Sequence, residues 1–183
     1  STNTISGIPF APDLIWIKAR GAATDHVLFD TVRGVYKSLS TNDTTGENNN
    51  TNQLQTFTSD GWTMGDLDTS NAATTFASWN WKANGAGSAN TNGSINSTVS
   101  ANTTAGFSIV KWTGSGANAT VGHGLGVTPA MLIVKNATGT GNWRIWNQNL
   151  SSAQTLELNA TSGALTSAGQ FNSSATFNST VFS

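Results

Sequence analysis

Apolar and polar positions alternate with a period of two in a series of short stretches, and no segment sustains a 3.6-residue period. Positions 13–18 set Leu14, Trp16 and Lys18 on one face and Ile15 and Ile17 on the other. Both faces are largely apolar, as in an inner strand covered on two sides. A turn at 20–25 leads to a short strand at 26–30. Positions 75–82 put Ala77, Trp79 and Trp81 on one face. A thin strand follows at 94–101, and 106–112 sets Phe107, Ile109 and Lys111 opposite Val110 and Trp112. Further strands are expected at 131–135, 142–147, 155–158 and 180–183. Ser59, Asp60 and Gly61 mark a turn between Phe57 and Trp62. Positions 31–39 are ambiguous, with Gly34 arguing against a long helix, and 42–52 reads as a polar loop. Short strands and Gly, Asn and Ser turns roughly 10 residues apart predict an all-β protein of β-sandwich or jelly-roll-like units.

The pattern repeats. An offset of 117 carries Pro12 onto Pro129, Lys18 onto Lys135, Asp25 onto Asn142, Leu28 onto Ile145 and Phe29 onto Trp146. It continues through Asn42 and Asn159 to Gly46 and Gly163. Later the offset becomes 120, so that Phe57 and Trp62 fall on Phe177 and Phe182, which a three-residue insertion near Gly169 accounts for. The expected organisation is a first β unit at 1–83, a Gly/Asn/Ser-rich linker at 84–93 and a second unit at 94–183, in tandem or intertwined. The two are out of phase. The second has strands ahead of its Gly-Pro lead-in that the first lacks, and the first ends on 76–82, for which the second has no counterpart. A sandwich short of a strand exposes backbone and apolar groups. The two units share one sheet system, neighbouring subunits supply strands, or the chain is part of a longer array; the first two are favoured.

Charged residues make up only 9% of the chain, against about 25% in an average soluble domain. With a formal net charge of −1, no electrostatic case exists for nucleic acid or an anionic membrane. Seven Trp and eight Phe supply enough apolar area for a packed core, so the Asn/Thr/Ser/Gly richness is not a sign of disorder. The absence of cysteine removes disulfides, thiolate metal sites and Cys nucleophiles. No apolar run approaches the roughly 20 residues of a membrane-spanning helix, and the N-terminus lacks the pattern of a signal peptide.

Candidate chemistry is sparse. Asp25 and His26 with Asp30 and Arg33 could form an acid–base site, yet the 117-shifted positions are Asn142, Trp143, Asn147 and Leu150, which carry no ionisable group. His26 and His123 fall in different units, so no metal site is expected. Gly122-His-Gly-Leu-Gly126 precedes a strand and not a helix, which argues for a turn using positive φ and against a phosphate loop. His123 is expected to hydrogen-bond within that turn. No catalytic, cofactor-binding or metal-binding residue is assigned, and no cofactor is expected. Most tryptophans are expected in the core. Tyr36, Trp62 and Trp143, which lie beside loops, are the candidates for glycan or partner contact. Lys18 and Lys135, each ending an apolar strand, read as a recurring contact or as lysines that blunt strand pairing.

Several runs together carry a family resemblance: Pro12-Asp-Leu-Ile-Trp-Ile-Lys18, Leu28-Phe-Asp-Thr-Val-Arg-Gly34 and Ala77-Ser-Trp-Asn-Trp-Lys-Ala83, with those at 97–110 and 121–129. They resemble an uncharacterised domain recurrent in tailed-phage proteins, often large tail-fibre-like or lectin-like virion proteins of aquatic and marine phages. The resemblance spans nearly the whole chain and brings no catalytic residues with it. It implies a non-enzymatic structural protein on the virion surface, as a tail fibre, appendage or capsid decoration that faces a host glycan or receptor. Its partners would be itself, as a trimer or a strand-exchanged polymer, and other virion proteins. The rival expectations are an extracellular filament subunit that polymerises by strand exchange and a glycan-cleaving enzyme using Asp25 and Asp30.

Overall fold

In the computed structural model, which describes residues 2–151, 153–166 and 177–183, the chain is nearly all antiparallel β. It opens with β1 (Asn3–Ile5) and continues with β2 (Leu14–Ala19), β3 (Val27–Asp30), β4 (Lys37–Ser40) and β5 (Asn48–Asn49). The hairpin β6 (Leu54–Thr58) and β7 (Gly61–Met64) turns through Ser59 and Asp60. A single helical turn, α1 (Asp68–Asn71), precedes β8 (Phe76–Trp81). Strands β2 to β5 form a meander, and β8 returns to pair with the outer side of β2, giving the order β5-β4-β3-β2-β8. A second sheet, β1-β7-β6, lies over it.

The period-two pattern explains why these layers meet. Along β2, Ile15, Ile17 and Ala19 are buried while Leu14, Trp16 and Lys18 are half-buried. Ile15 and Ile17 join Val27 and Phe29 of β3, Leu54 of β6, and Trp62 and Met64 of β7 in one core. Each such side chain contributes about 1.5–3 kcal/mol when fully buried. Trp62, expected at a loop-side surface, is therefore a core residue: the Ser59–Asp60 turn is tight enough to fold its ring under the sheet.

Three further strands, β9 (Ser88–Asn90), β10 (Ser97–Asn102) and β11 (Phe107–Trp112), form a separate sheet in the order β11-β10-β9. Thus β9 lies inside the stretch expected to be linker; its backbone pairs from Ser88↔Val99 to Asn90↔Ser97, a demand that flexible composition does not exclude. This sheet touches both halves. Trp81 stacks on Phe107 with ring centroids 6.2 Å apart, Lys111 donates to Val32 O, and Trp112 meets the Phe182 ring edge-on at 5.5 Å.

The remaining strands are β12 (Val121–Gly122), β13 (Met131–Val134), β14 (Arg144–Asn147), β15 (Gln154–Glu157), β16 (Leu165–Thr166) and β17 (Val181–Phe182). β12 pairs with β17, and β13-β14-β15-β16 is a second meander. Its register matches the first at the offset of 117. Ile15↔Phe29 becomes Leu132↔Trp146, Leu28↔Leu39 becomes Ile145↔Leu156, and Ser38↔Asn48 becomes Thr155↔Leu165. The strand β5, unforeseen within an Asn-rich loop, has β16 as its shifted partner. Both lead-ins also turn on a glycine at positive φ, Gly7 (+87°) and Gly124 (+71°). The insertion expected near Gly169 lies outside the described residues.

The halves are in direct contact. Glu47 N–H donates to Ala137 O (2.7 Å) and Gly141 N–H to Thr44 O (2.8 Å). Gly46 makes this approach close, since a Cβ there would stand 3.0 Å from Ala137 O.

Candidate functional site

The outer face of the first meander forms a shallow aromatic cleft. Trp16 projects from β2 beside Trp79 of β8, with ring centroids 5.9 Å apart and planes tilted by 53°. Two open hollows of about 210 Å³ and 220 Å³ share Trp16 and His26. Thr41, Asn42 and the second half's 158–161 line one, and Lys18 and Trp79 the other. Trp79 is 51% exposed. Its alternation with Trp81 pointed to core, but it stands on the last strand of the sheet, where nothing among the described residues covers that face.

Below the rings a hydrogen-bonded latch sets the geometry. Trp16 Nε1–H donates to Thr41 Oγ1 (3.0 Å), which donates on to His26 O (3.3 Å). Asn42 Oδ1 accepts His26 N–H (2.7 Å), and its Nδ2 donates to Asp25 Oδ1 (2.9 Å). The same latch recurs in the second half. Asn159 Oδ1 accepts Trp143 N–H (2.8 Å) and its Nδ2 donates to Asn142 Oδ1 (3.0 Å). Asp25 can thus be exchanged for Asn, and His26 for Trp, in one backbone arrangement. The backbone arrangement therefore needs neither the carboxylate nor the imidazole.

The proposed acid–base cluster is split. His26 and Asp30 stand at opposite ends of β3, roughly 13 Å of strand apart. Asp30 is occupied by Arg33, whose Nε lies 2.5 Å from its carboxylate and whose backbone N–H binds it at 2.8 Å. Arg33 also donates to Leu28 O and approaches Glu47. Partial burial, and secondarily the Lys18 charge, lower the pKa of His26 despite the opposing pull of Asp25. That shift favours the uncharged ring. Lys18 Nζ itself donates to Ala22 O and Thr24 O, and Lys135 Nζ to Thr44 O, Asn136 O and Gly139 O. Both lysines fasten the turns after their strands. Burial lowers the pKa of Lys135.

Of the three contact candidates, Tyr36 alone retains partial exposure. It adopts φ +67° between Leu54 O, which accepts its N–H, and Asn50 N–H, which donates to its carbonyl. Trp143 is buried, with Nε1–H donating to Ser40 O (2.8 Å) across the contact between halves. Its place beside a loop misled because the other half packs against that loop. His123 is buried, accepting Leu125 N–H at Nδ1 (3.2 Å) with Nε2 3.1 Å from Asn178 O. Nδ1 acts as acceptor, so Nε2 carries the proton and donates. Among the described residues no group of three His, Asp or Glu side chains is placed to hold a metal ion, and no helix is long and apolar enough to cross a membrane.

A family model described as a domain of unknown function (DUF7483) matches residues 1–183, and the chain belongs to that family. No curated protein and no solved structure matches it.

Proposed function

We propose that this member of a family without an assigned activity is a non-enzymatic structural protein of the outer surface of a phage particle, a subunit of an appendage or decoration. One observation carries the non-catalytic part: many of the few charged side chains are spent as fasteners. Asp13 holds the end of β8, Asp30 and Arg33 hold each other, Glu157 binds Arg144 at 2.5 Å, and both strand-end lysines cap carbonyls. Catalysis of glycan cleavage needs a carboxylate free to take or give a proton near the substrate. Of the candidate pair, Asp30 is committed to Arg33 and Asp25 to the Asn42 latch.

The location on a virion rests on the sequence runs that resemble tailed-phage proteins. A neutral exterior rich in amide and hydroxyl groups supports it, since such a surface hydrates with little salt dependence. Immunogold labelling of intact particles, with antibody raised against this chain, tests the reading. Label on the particle exterior is expected, and label found only in soluble host lysate would reject it. A glycan array adds the receptor question. Retention of a sugar that is lost in Trp79→Ala would give the aromatic cleft a receptor-facing role.

A further inference from the structure

The two meanders share a register but differ at one edge. In the first, β2 is flanked on both sides, and β8 pairs along its whole length from Leu14↔Trp81 to Ala19↔Phe76. In the second, β13 pairs with β14 alone among the described residues. The consequence is visible on the surface. Met131 is 56% exposed and Ile133 46%, with Val127 just before them at 60%. Of the other two exposed large apolar side chains, Ile5 at 37% and Trp79 at 51%, the more exposed is Trp79, on β8, whose far side is also unpaired among the described residues.

Exposed strand edges are usually blunted by charge or proline. Neither β8 nor β13 carries a charged residue or a proline. Lys135, the nearest candidate guard of β13, has its ammonium group tied to three carbonyls. Moving β8 from β2 to β13 would only transfer the vacancy. Other terminal strands exist at β1, β5, β6, β9, β11 and β16, but the most exposed large apolar side chains on a terminal strand belong to β8 (Trp79) and β13 (Met131 and Ile133), and each chain offers one of each edge.

We infer that β13 of one copy adds antiparallel to the outer edge of β8 in a second copy, continuing the sheet as β5-β4-β3-β2-β8 and then β13-β14-β15-β16. Ladder hydrogen bonds supply the pairing, and Ile133 and Met131 pack beside Trp79, which already leans on Trp16. The two patches are different, so the contact is head-to-tail and each added copy presents a fresh edge. The contact would hold wherever the protein works and does not depend on the virion reading.

Light scattering on the purified chain across concentration, with two variants, tests it. Wild type should gain mass with concentration. Ile133→Lys should abolish growth through a dead β13, and Trp79→Ser through a dead β8; both side chains are substantially exposed, and thermal unfolding checks that each variant folds. Should Ile133→Lys fail to fold, Ile133→Thr replaces it. An equimolar mixture of the two variants should recover a one-to-one pair and stop there, because each lends its intact edge to the other. A wild type that stays monomeric, a Trp79→Ser chain that still self-associates, or a mixture that remains monomeric would overturn the inference.

Discussion

The first meander buries a hydrocarbon core where the second sets a half-buried ion pair. Val27 and Ser40 face each other across β3 and β4, and their 117-shifted counterparts are Arg144 and Glu157 across β14 and β15. Val27 is buried, whereas Arg144 is partly exposed and bound to Glu157. The contrast extends to the strand edge. Asp13 accepts N–H groups from Ala83 (2.7 Å) and Gly85 (3.0 Å) and the Thr31 hydroxyl (3.2 Å), and so fastens the chain leaving β8 to the first meander. Its shifted position is Ala130, which has no acceptor side chain. Backbone register is thus shared while the means of closing the sheet is not. Register follows from alternation and turn length; closure depends on individual side chains.

The comparison can be broken first at the core. Phe29→Ala should cost about 3–5 kcal/mol in denaturant unfolding, a large part of a typical 5–15 kcal/mol total. A loss below 1 kcal/mol would deny that the first meander centres on this ring, which is fully buried. Asp13→Ala comes next, at about 2–3 kcal/mol, because it strands N–H groups that now meet a carboxylate. Hydrogen exchange should quicken along β8, while the converse Ala130→Asp should cost little, having no strand end to hold.

Two buried indoles sharpen the contact between halves. Trp143→Phe removes a hydrogen bond to Ser40 O, whereas Trp62 Nε1 is buried without a partner among the described residues. Matched Phe substitutions lose the same ring volume, so the Trp143 variant should be the less stable by about 1 kcal/mol; equal losses would deny that the bond counts. The double change Arg144→Val/Glu157→Ser copies the first meander's pair into the second. It should not destabilise the fold, since a half-buried ion pair contributes little net stability and its apolar replacement is often neutral or favourable. A marked fall in melting temperature would show the ion pair to be required.

The smallest effect is titration of His26. Its folded pKa lies below the ordinary 6.5, so the unfolded chain binds the proton more readily. The stability this contributes is full above pH 6.5 and declines as pH falls from there through the folded value. A shallow drop in melting temperature on acidification should flatten in His26→Gln.

The strand positions of β2, β3, β8, β11, β13 and β14 were legible because alternation and turn residues are local properties. So was the turn role of His123, since glycines on either side leave it no regular element. The exposure of Trp79 and the burial of Trp62 and Trp143 were not legible. Whether an aromatic ring is covered depends on which distant strand arrives beside it, and alternation reports only the side it points to. The Asp13 clamp was missed for the same reason: its donors are some 70 positions away.

The sequence by itself determined an all-β chain, the absence of thiol chemistry, and the 117-residue spacing at which its residue pattern recurs, since these depend on residue type and separation alone. Only the tertiary structure decided which edge is closed, which tryptophan faces solvent and where each charge is spent. Those outcomes follow from packing and hydrogen bonding between groups brought together from remote parts of the chain, and no local window contains both partners.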